Sequence, residues 1–554
     1  MIKNLLYFSL FAVSLSQAQV NLVKDINPGV ADGIPIYGNN VINQISFNNI
    51  LLFAGRDDVN GIELWKTDGT SSGTILVKNI SQLGDSEPQG FYKWELTGNV
   101  YFSASNSTNP GLNFELWETD GTPSGTNTYG FELNDSGSSS PMNFATIDGV
   151  SGRLLFSADY ERGNANNGIE ICFADASSTT SLLGQLNGEN NGVDDDSSPK
   201  DFTLFNNMLY FTADNNLPSG NYGRELFQTN TLSSGTTRLT DINPNGGDSN
   251  PEHLTVFNNR LYFTAFSPTL GNEIFRITTN GSVTNLKNIN PGNADSNADE
   301  LIVYNNQLFF TADDGNNGKE LWSSTGFGST TNMLININPN GNSSPDNLTI
   351  FNNKLYFGAD DGTNGVELWV TDGTSSGTVM LKDINPSGES TPQGFIEYFG
   401  ELYFNADDGV NGRELWKTDG TSAGTVLVED IETGVFGSDP LNFVVAGNQL
   451  FFSASTTATG RELFRYIDAS LSNEEFELSN SVLIYPNPTK HSFSIDSKFN
   501  VEDAKLYDVQ GKLVKILDIS FETFNVTDIK SGIYFVKLKM ENGLSHTEKL
   551  IIDN

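Results

Sequence analysis

Cysteine is all but missing. The 554 residues contain one, Cys172, so no intrachain disulfide can form, and stability has to come from packing or from bound ions. Cys172 stands where other copies of a repeated motif carry Trp or Phe, which points to a small core residue and not a nucleophile. Histidine is nearly as scarce, with His253, His491 and His546 alone. No HExxH zinc motif or P-loop occurs. Positive charge is in short supply too. Thirty Lys plus Arg stand against 68 Asp plus Glu, a net charge of −38. A surface that acidic repels phosphate, which excludes nucleic acid as a partner and leaves cations or neutral ligands. After the first apolar run no other approaches the length needed to span a bilayer.

That first run reads as an export signal. Lys3 supplies the positive start, "LLYFSLFAVSL" (5–15) a short apolar core, and "SQA" (16–18) the small residues of a cleavage site. Residues 1–18 are therefore expected to be a signal peptide, and the mature chain to begin at Gln19. The chain as a whole is rich in what a packed, turn-dense protein needs, with 38 Phe and 54 Gly.

The dodecapeptide "ELWKTDGTSAGT" (414–425) appears almost unchanged as "ELWKTDGTSSGT" (63–74). Its Glu recurs at 63, 115, 170, 225, 273, 320, 367, 414 and 462, a mean period of about 50 residues, in the range of propeller blades. One copy, residues 347–388, splits into the apolar runs "LTIF", "KLYFGA", "VELWVT" and "TVMLKDI". Asn352-Asn353 and Asp372-Gly373 supply hairpin turns between them. The pattern predicts a four-stranded antiparallel meander and almost no helix. Alternation puts Leu368 and Val370 on one face, and Glu367, Trp369 and Thr371 on the other. Both faces need neighbours, and radial stacking provides them. Residues 20–29 read as a fourth strand with no first three, and residues 461–468 as a third strand with no fourth. The expectation for residues 19–468 is an all-β propeller of about nine four-stranded blades, closed by pairing those out-of-phase strands. The repeat resembles the ELWxxDGT-repeat family over residues 20–468, most specifically at Glu63, Glu115, Glu367 and Glu414. The resemblance implies an exported bacterial repeat protein without a defined ligand.

The slot after Glu-Leu holds five of the six tryptophans. A ring in every unit suits blade-to-blade packing; an aromatic ladder for sugars is the functional alternative. The nine glutamates call for partners, either backbone N–H groups or the Thr hydroxyls of the following turn. The functional alternative is an acid/base pair. Paired acids at Asp313 and Asp314, Asp360 and Asp361, and Asp407 and Asp408 lie in Gly-containing turns. They are turn formers, and also the candidate ligands for weakly bound Ca²⁺, which takes six to eight oxygens. Longer inserts fall at 105–113, 159–168 and 187–200, with Asp194, Asp195 and Asp196 the most acidic spot and the first place to look for a specific ligand.

Residues 469–480 read as a polar linker, and the composition then changes. Residues 479–554 carry nine Lys against ten acids, leaving almost the whole net charge to the repeats. Residues 481–554 alternate short strands with turns, as a small antiparallel β-sandwich does. "YPNP" (485–488), "DVQGKLV" (508–514), "SGIYFVKL" (531–538) and "EKLII" (548–552) together resemble the type A sorting domain of the type IX secretion system of Bacteroidota. The resemblance implies that residues 481–554 engage the type IX secretion machinery. The chain would then be secreted or extracellular, either released or anchored to the outer cell surface. The function expected is that of a binding or adhesion scaffold for protein or glycan, with no catalytic constellation. A polysaccharide-acting enzyme and a purely structural surface protein are the alternatives.

Overall fold

The computed structural model describes residues 19–553 apart from 37–42, 83, 107–112, 136, 148–151, 162–167, 187–195, 218–219, 233–234, 279–280, 469–481, 498–500, 509–511, 518–522 and 541–544. The expected signal peptide and linker, and the centres of the three inserts, lie outside the described residues. One compact unit covers Val20–Arg465, and a second is formed by the residues from Tyr466 on. Among the described residues the chain is strand and turn, with one short 3-10 turn at Gly328–Thr330.

The first unit is built from nine four-stranded sheets. In the unit quoted above the strands are Asp346–Phe351, Lys354–Asp360, Val366–Thr371 and Val379–Lys382, in sequence order and antiparallel. Asn352 and Asn353 adopt φ of 46° and 56°, the left-handed pair that a two-residue hairpin requires and Asn tolerates. The DGT stretch is a second turn device. Asp372 Oδ1 accepts from the Thr374 N–H (2.9 Å) and hydroxyl (2.7 Å), while the Thr371 and Thr378 hydroxyls pair at 2.7 Å. The same Thr–Thr pairing joins 67 to 74, 119 to 126 and 418 to 425.

Neighbouring sheets touch through their first strands. The contact runs from Gln44–Phe47 to Gln89–Trp94 and onward in order to Gln393–Tyr398 and Leu441–Ala446. Leu441–Ala446 in turn contacts Gln44–Phe47. The ninth sheet takes its outer strand from the other end of the chain. Gln19–Lys24 lies beside Gly460–Ile467, followed by Gln449–Thr456 and Leu441–Ala446.

Packing between sheets follows the alternation read from sequence. Leu368 packs with Phe404, Ala406 and Trp416 of the following sheet, and Trp369 with Tyr304, Phe309 and Leu321 of the preceding one. The five repeat tryptophans are only 5–8% exposed, too enclosed for a ladder on which sugars stack. Cys172 is fully buried against Trp94, Tyr101 and Leu154, as a core residue, and burial pushes its thiol well up.

The repeated glutamates are buried and serve architecture. Glu320 accepts from the N–H of Ile337 (2.8 Å), the N–H of Asn338 (3.2 Å) and the hydroxyl of Ser343 (2.6 Å). The backbone partners were expected. The hydroxyl comes from a serine past the fourth strand, not from the DGT threonines, which bond one another. Ser86, Ser139, Ser197, Ser249, Ser390 and Ser438 do the same for their glutamates. In the fifth sheet the Ser296 hydroxyl donates to the Asn272 carbonyl (2.8 Å), the bond that Ser86, Ser139, Ser343 and Ser390 also make, and it acts on Glu273 as well.

The same residue reaches forward. The Ser343 N–H donates to Lys319 O of its own sheet (3.1 Å), and its carbonyl accepts from Asp360 N of the next (2.9 Å). This forward bond recurs at all nine joints at 2.7–3.0 Å, and the ninth, Arg56 N to Gly33 O, runs from the segment after Gln19–Lys24 to the first sheet. Gly33 replaces the serine there. A Cβ at Gly33 would lie 2.2 Å from Glu462 Oε1, and Glu462 Oε2 is buried without a hydrogen-bond partner.

The second unit has a three-stranded sheet, Val482–Tyr485, Ser492–Ser497 and Phe524–Asn525. Its four-stranded sheet is ordered Leu513–Leu517, Val501–Asp508, Gly532–Met540, Ser545–Ile552. Phe493 and Phe524 from the first meet Leu506, Val536, Leu538 and Leu550 from the second in one core, the two-layer packing expected of a sandwich.

Two outcomes follow from this packing. Trp369→Ala removes a ring shared by two sheets and should cost about 3–5 kcal/mol, read as a lowered denaturation midpoint; an unchanged midpoint contradicts its place in the core. Burial pushes Glu63, Glu115 and Glu273 up to about 7, and Glu462 to about 8, from an ordinary 4.5. Each holds its proton to higher pH folded than unfolded, so folding takes up protons between those values. The stability gained is complete below about 4.5 and lost as pH rises through about 7 to 8. The melting temperature should therefore be higher near pH ~5 than near pH ~8, and Glu462→Gln should flatten the alkaline end of that slope.

Candidate functional site

In all but one of the nine sheets the first strand begins on a bulge. In eight sheets its second residue has left-handed φ, at Gly90, Asn143, Asp201, His253, Glu300, Asn347, Gly394 and Asn442 (55° to 69°). The register of these strands shifts at the same place. Gly and Asn accept that conformation most readily, and five sheets use them. The three that carry Asp, His and Glu are consecutive.

Those three sheets line a cavity of about 660 Å³. Lys200 Nζ lies 3.2 Å from Glu252 and 3.9 Å from Asp201. His253 Nε2 lies 3.2 Å from Asp299 Oδ1, whose other oxygen is 3.5 Å from Lys319 Nζ. Glu300 accepts from the N–H of Leu348 (3.0 Å). Burial raises the Asp201 carboxyl above its ordinary range against the pull of Lys200, with Glu252 adding to the rise. Burial also raises Glu300; the Leu348 N–H opposes this, and Asp346 and Asp299 reinforce it. Phe202, Leu254, Leu301 and Ile302 supply apolar walls. A second cavity of about 340 Å³ is lined by the same strand positions of the three sheets that follow, among them Asn347, Gln393, Phe395 and Asn442, with no charged side chain. Charge at the bulge is thus local to one sector. The arrangement offers hydrogen-bond acceptors, two ammonium groups and an imidazole beside apolar carbon, which suits a polar ligand with many hydroxyl or amide groups.

None of these residues stood out from the repeat in the sequence, although a signal was there. The two residues after the Ser-x-Pro stretch (Ser-Asn-Ala at 296–298) read Lys200-Asp201, Glu252-His253 and Asp299-Glu300 in these sheets, against Gln393-Gly394 or Leu441-Asn442 elsewhere.

The six aspartates considered for calcium lie in three separate turns. Asp313, Asp360 and Asp407 each accept from the N–H two residues on, at 2.7 Å. Asp314, Asp361 and Asp408 each receive two backbone N–H groups on Oδ1 and an Asn side chain on Oδ2. Burial acts to raise Asp314 and Asp361, but these donors together hold both below the ordinary carboxylate range. Among the described residues no cluster of three or more His, Cys, Asp or Glu could hold a metal ion. Of the acidic insert, Asp194 and Asp195 lie outside the described residues. Asp196 accepts from Ile169 N (2.7 Å), the bond that Asp295 makes to Asn272 N two sheets on.

No curated protein matches the chain by sequence. Among solved structures it is similar to PorZ, an essential bacterial surface component of the type IX secretion system of Porphyromonas gingivalis (12% identity, 92% of this chain and 75% of that one, TM-score 0.35). It is also similar to the extracellular domain of a putative one-component system from B. thetaiotaomicron (11%, 94% and 76%, TM-score 0.33). A third likeness is to puromycin hydrolase (12%, 66% and 58%, TM-score 0.35), of which the chain spans little more than half. Likeness at this level transfers no residue and no activity. Among the described residues no helix is long and apolar enough to cross a membrane. Residues 483–553 match the family model of the secretion system C-terminal sorting domain, which marks the chain for type IX secretion to the cell surface or the extracellular space.

Proposed function

We propose that the repeats form a closed nine-bladed propeller, exported as a binding scaffold, with its ligand site in the charged sector of the first strands. The ring reading is supported by nine equivalent joints and by the outer strand that Gln19–Lys24 gives to the ninth sheet. One observation carries the binding reading: Asp, His and Glu occupy the strained bulge position in three consecutive sheets, and those sheets border the larger cavity. A repeat that placed Gly or Asn there everywhere would fold as well. The ligand class is protein or glycan, held by Asp201, His253 and Glu300.

The test is an array of glycans and extracellular proteins probed with the mature chain and with Glu300→Gln. Binding should fall about tenfold or more in the variant, because a charged acceptor is lost. Its melting temperature should hold or rise, since repulsion from Asp299 and Asp346 is relieved. Equal binding by both chains removes the site.

The carboxylates around the cavity also favour a second reading, a polysaccharide-acting enzyme with Asp201 or Glu300 as the protonated acid. Shortened products from any array glycan on prolonged incubation would select it. Calcium at the Asp313, Asp360 and Asp407 turns is a separate proposal, motivated by the acid excess. A melting temperature that rises in millimolar calcium and falls in chelator supports it, and equal values remove it.

A further inference from the structure

The four-stranded sheet of the second unit has one face on the core and one in solvent. Leu506, Val536, Leu538 and Leu550 point inward. The residues between them point out, and the strand register sets them in rows. Leu513, Tyr507, Phe535 and Lys549 form one row across the four strands. Ile516, Lys505, Lys537 and Thr547 form the next. Ile516 is 64% exposed and Phe535 38%, an unusual load of apolar surface for the outer face of a small sheet. The row beyond pairs Asp503 with Lys539. Over the three rows, four lysines stand against one aspartate. On a chain with a net charge of −38, this face is a basic, apolar island.

We propose that this face is the surface by which the sorting domain is recognised, and that its partner is an acidic, apolar-centred surface on a protein of the type IX secretion machinery. Charge selects both the partner and the orientation. An acidic surface is repelled by the strongly negative repeats and attracted to this sheet, so encounter is steered to the end of the chain that carries the signal. Phe535 and Tyr507, flanked by lysines, supply the aromatic centre and cationic rim that recognition surfaces favour. The inference rests on the sorting-domain match and goes beyond it by choosing the face and the sign of the partner.

The experiment expresses the full chain in a type IX-competent host and measures the extracellular fraction. A chain lacking 483–553 tests the sorting assignment itself. The double variant Lys537→Glu with Lys549→Glu should fold with an unchanged melting temperature, since both side chains are exposed, yet be exported about tenfold less or worse. Lys537→Arg with Lys549→Arg should be exported like the parent. Normal export of the glutamate pair overturns the proposal, as does failure of the arginine pair. Binding of the parent chain to phosphatidylglycerol vesicles, lost in the glutamate pair while export stays normal, would reassign the face to an anionic lipid surface.

Discussion

A buried carboxylate with three donors holds the repeat array together. In each repeat the Glu of the third strand gathers the chain that leaves the fourth strand, and the residue it gathers bonds forward to the next sheet. One side chain thereby sets both the path of the connection and the distance between neighbours. An unpaired carboxylate in that position would cost several kcal/mol, so the glutamate is tolerable only where its donors are in place. The apolar contacts then have a fixed geometry to fill. Trp369 can sit between two sheets because the Glu320–Ser343 joint has already set their spacing.

Against that uniform frame, variation carries the information. Every repeat needs the glutamate, the joint residue and a large or apolar residue in the tryptophan slot, and those positions are accordingly constant or nearly so. The bulge position needs only a residue that accepts left-handed φ. It is free to differ, and it differs by charge in the sheets of one sector. Strain at Glu300, relieved in other sheets by Gly or Asn, is what the proposed ligand site would account for. Export is handled by a separate unit of opposite character, nearly neutral in total and basic on one exposed face.

The period, the four strands, the Asn-Asn and Asp-Gly turns and the packed tryptophans were legible in the sequence because each is a local pattern repeated many times. The stray strand at residues 20–29 was legible for the same reason: it is a fourth-strand phrase out of place. The serine of the joint was not. It lies 23–27 residues after its glutamate in chain order, in a Ser/Asn/Pro-rich stretch that reads as an ordinary turn. The cavity residues escaped for the opposite reason. Reading a repeat draws attention to what its copies share, and Lys200, Asp201, His253 and Glu300 are what they do not share. Asp313 and its equivalents show how one pattern serves two chemistries. Oxygen-rich turns with Gly attract either cations or their own backbone N–H groups, and here the amides are in place.

The ninth sheet has a consequence for biogenesis. Its outer strand emerges from the ribosome first, and the three strands it joins emerge roughly four hundred residues later. Until then the opening segment has no edge to join, and a product terminated early can never complete that sheet. Full-length synthesis is thus written into the architecture as a checkpoint, and only an intact chain carries the C-terminal address that follows immediately after it.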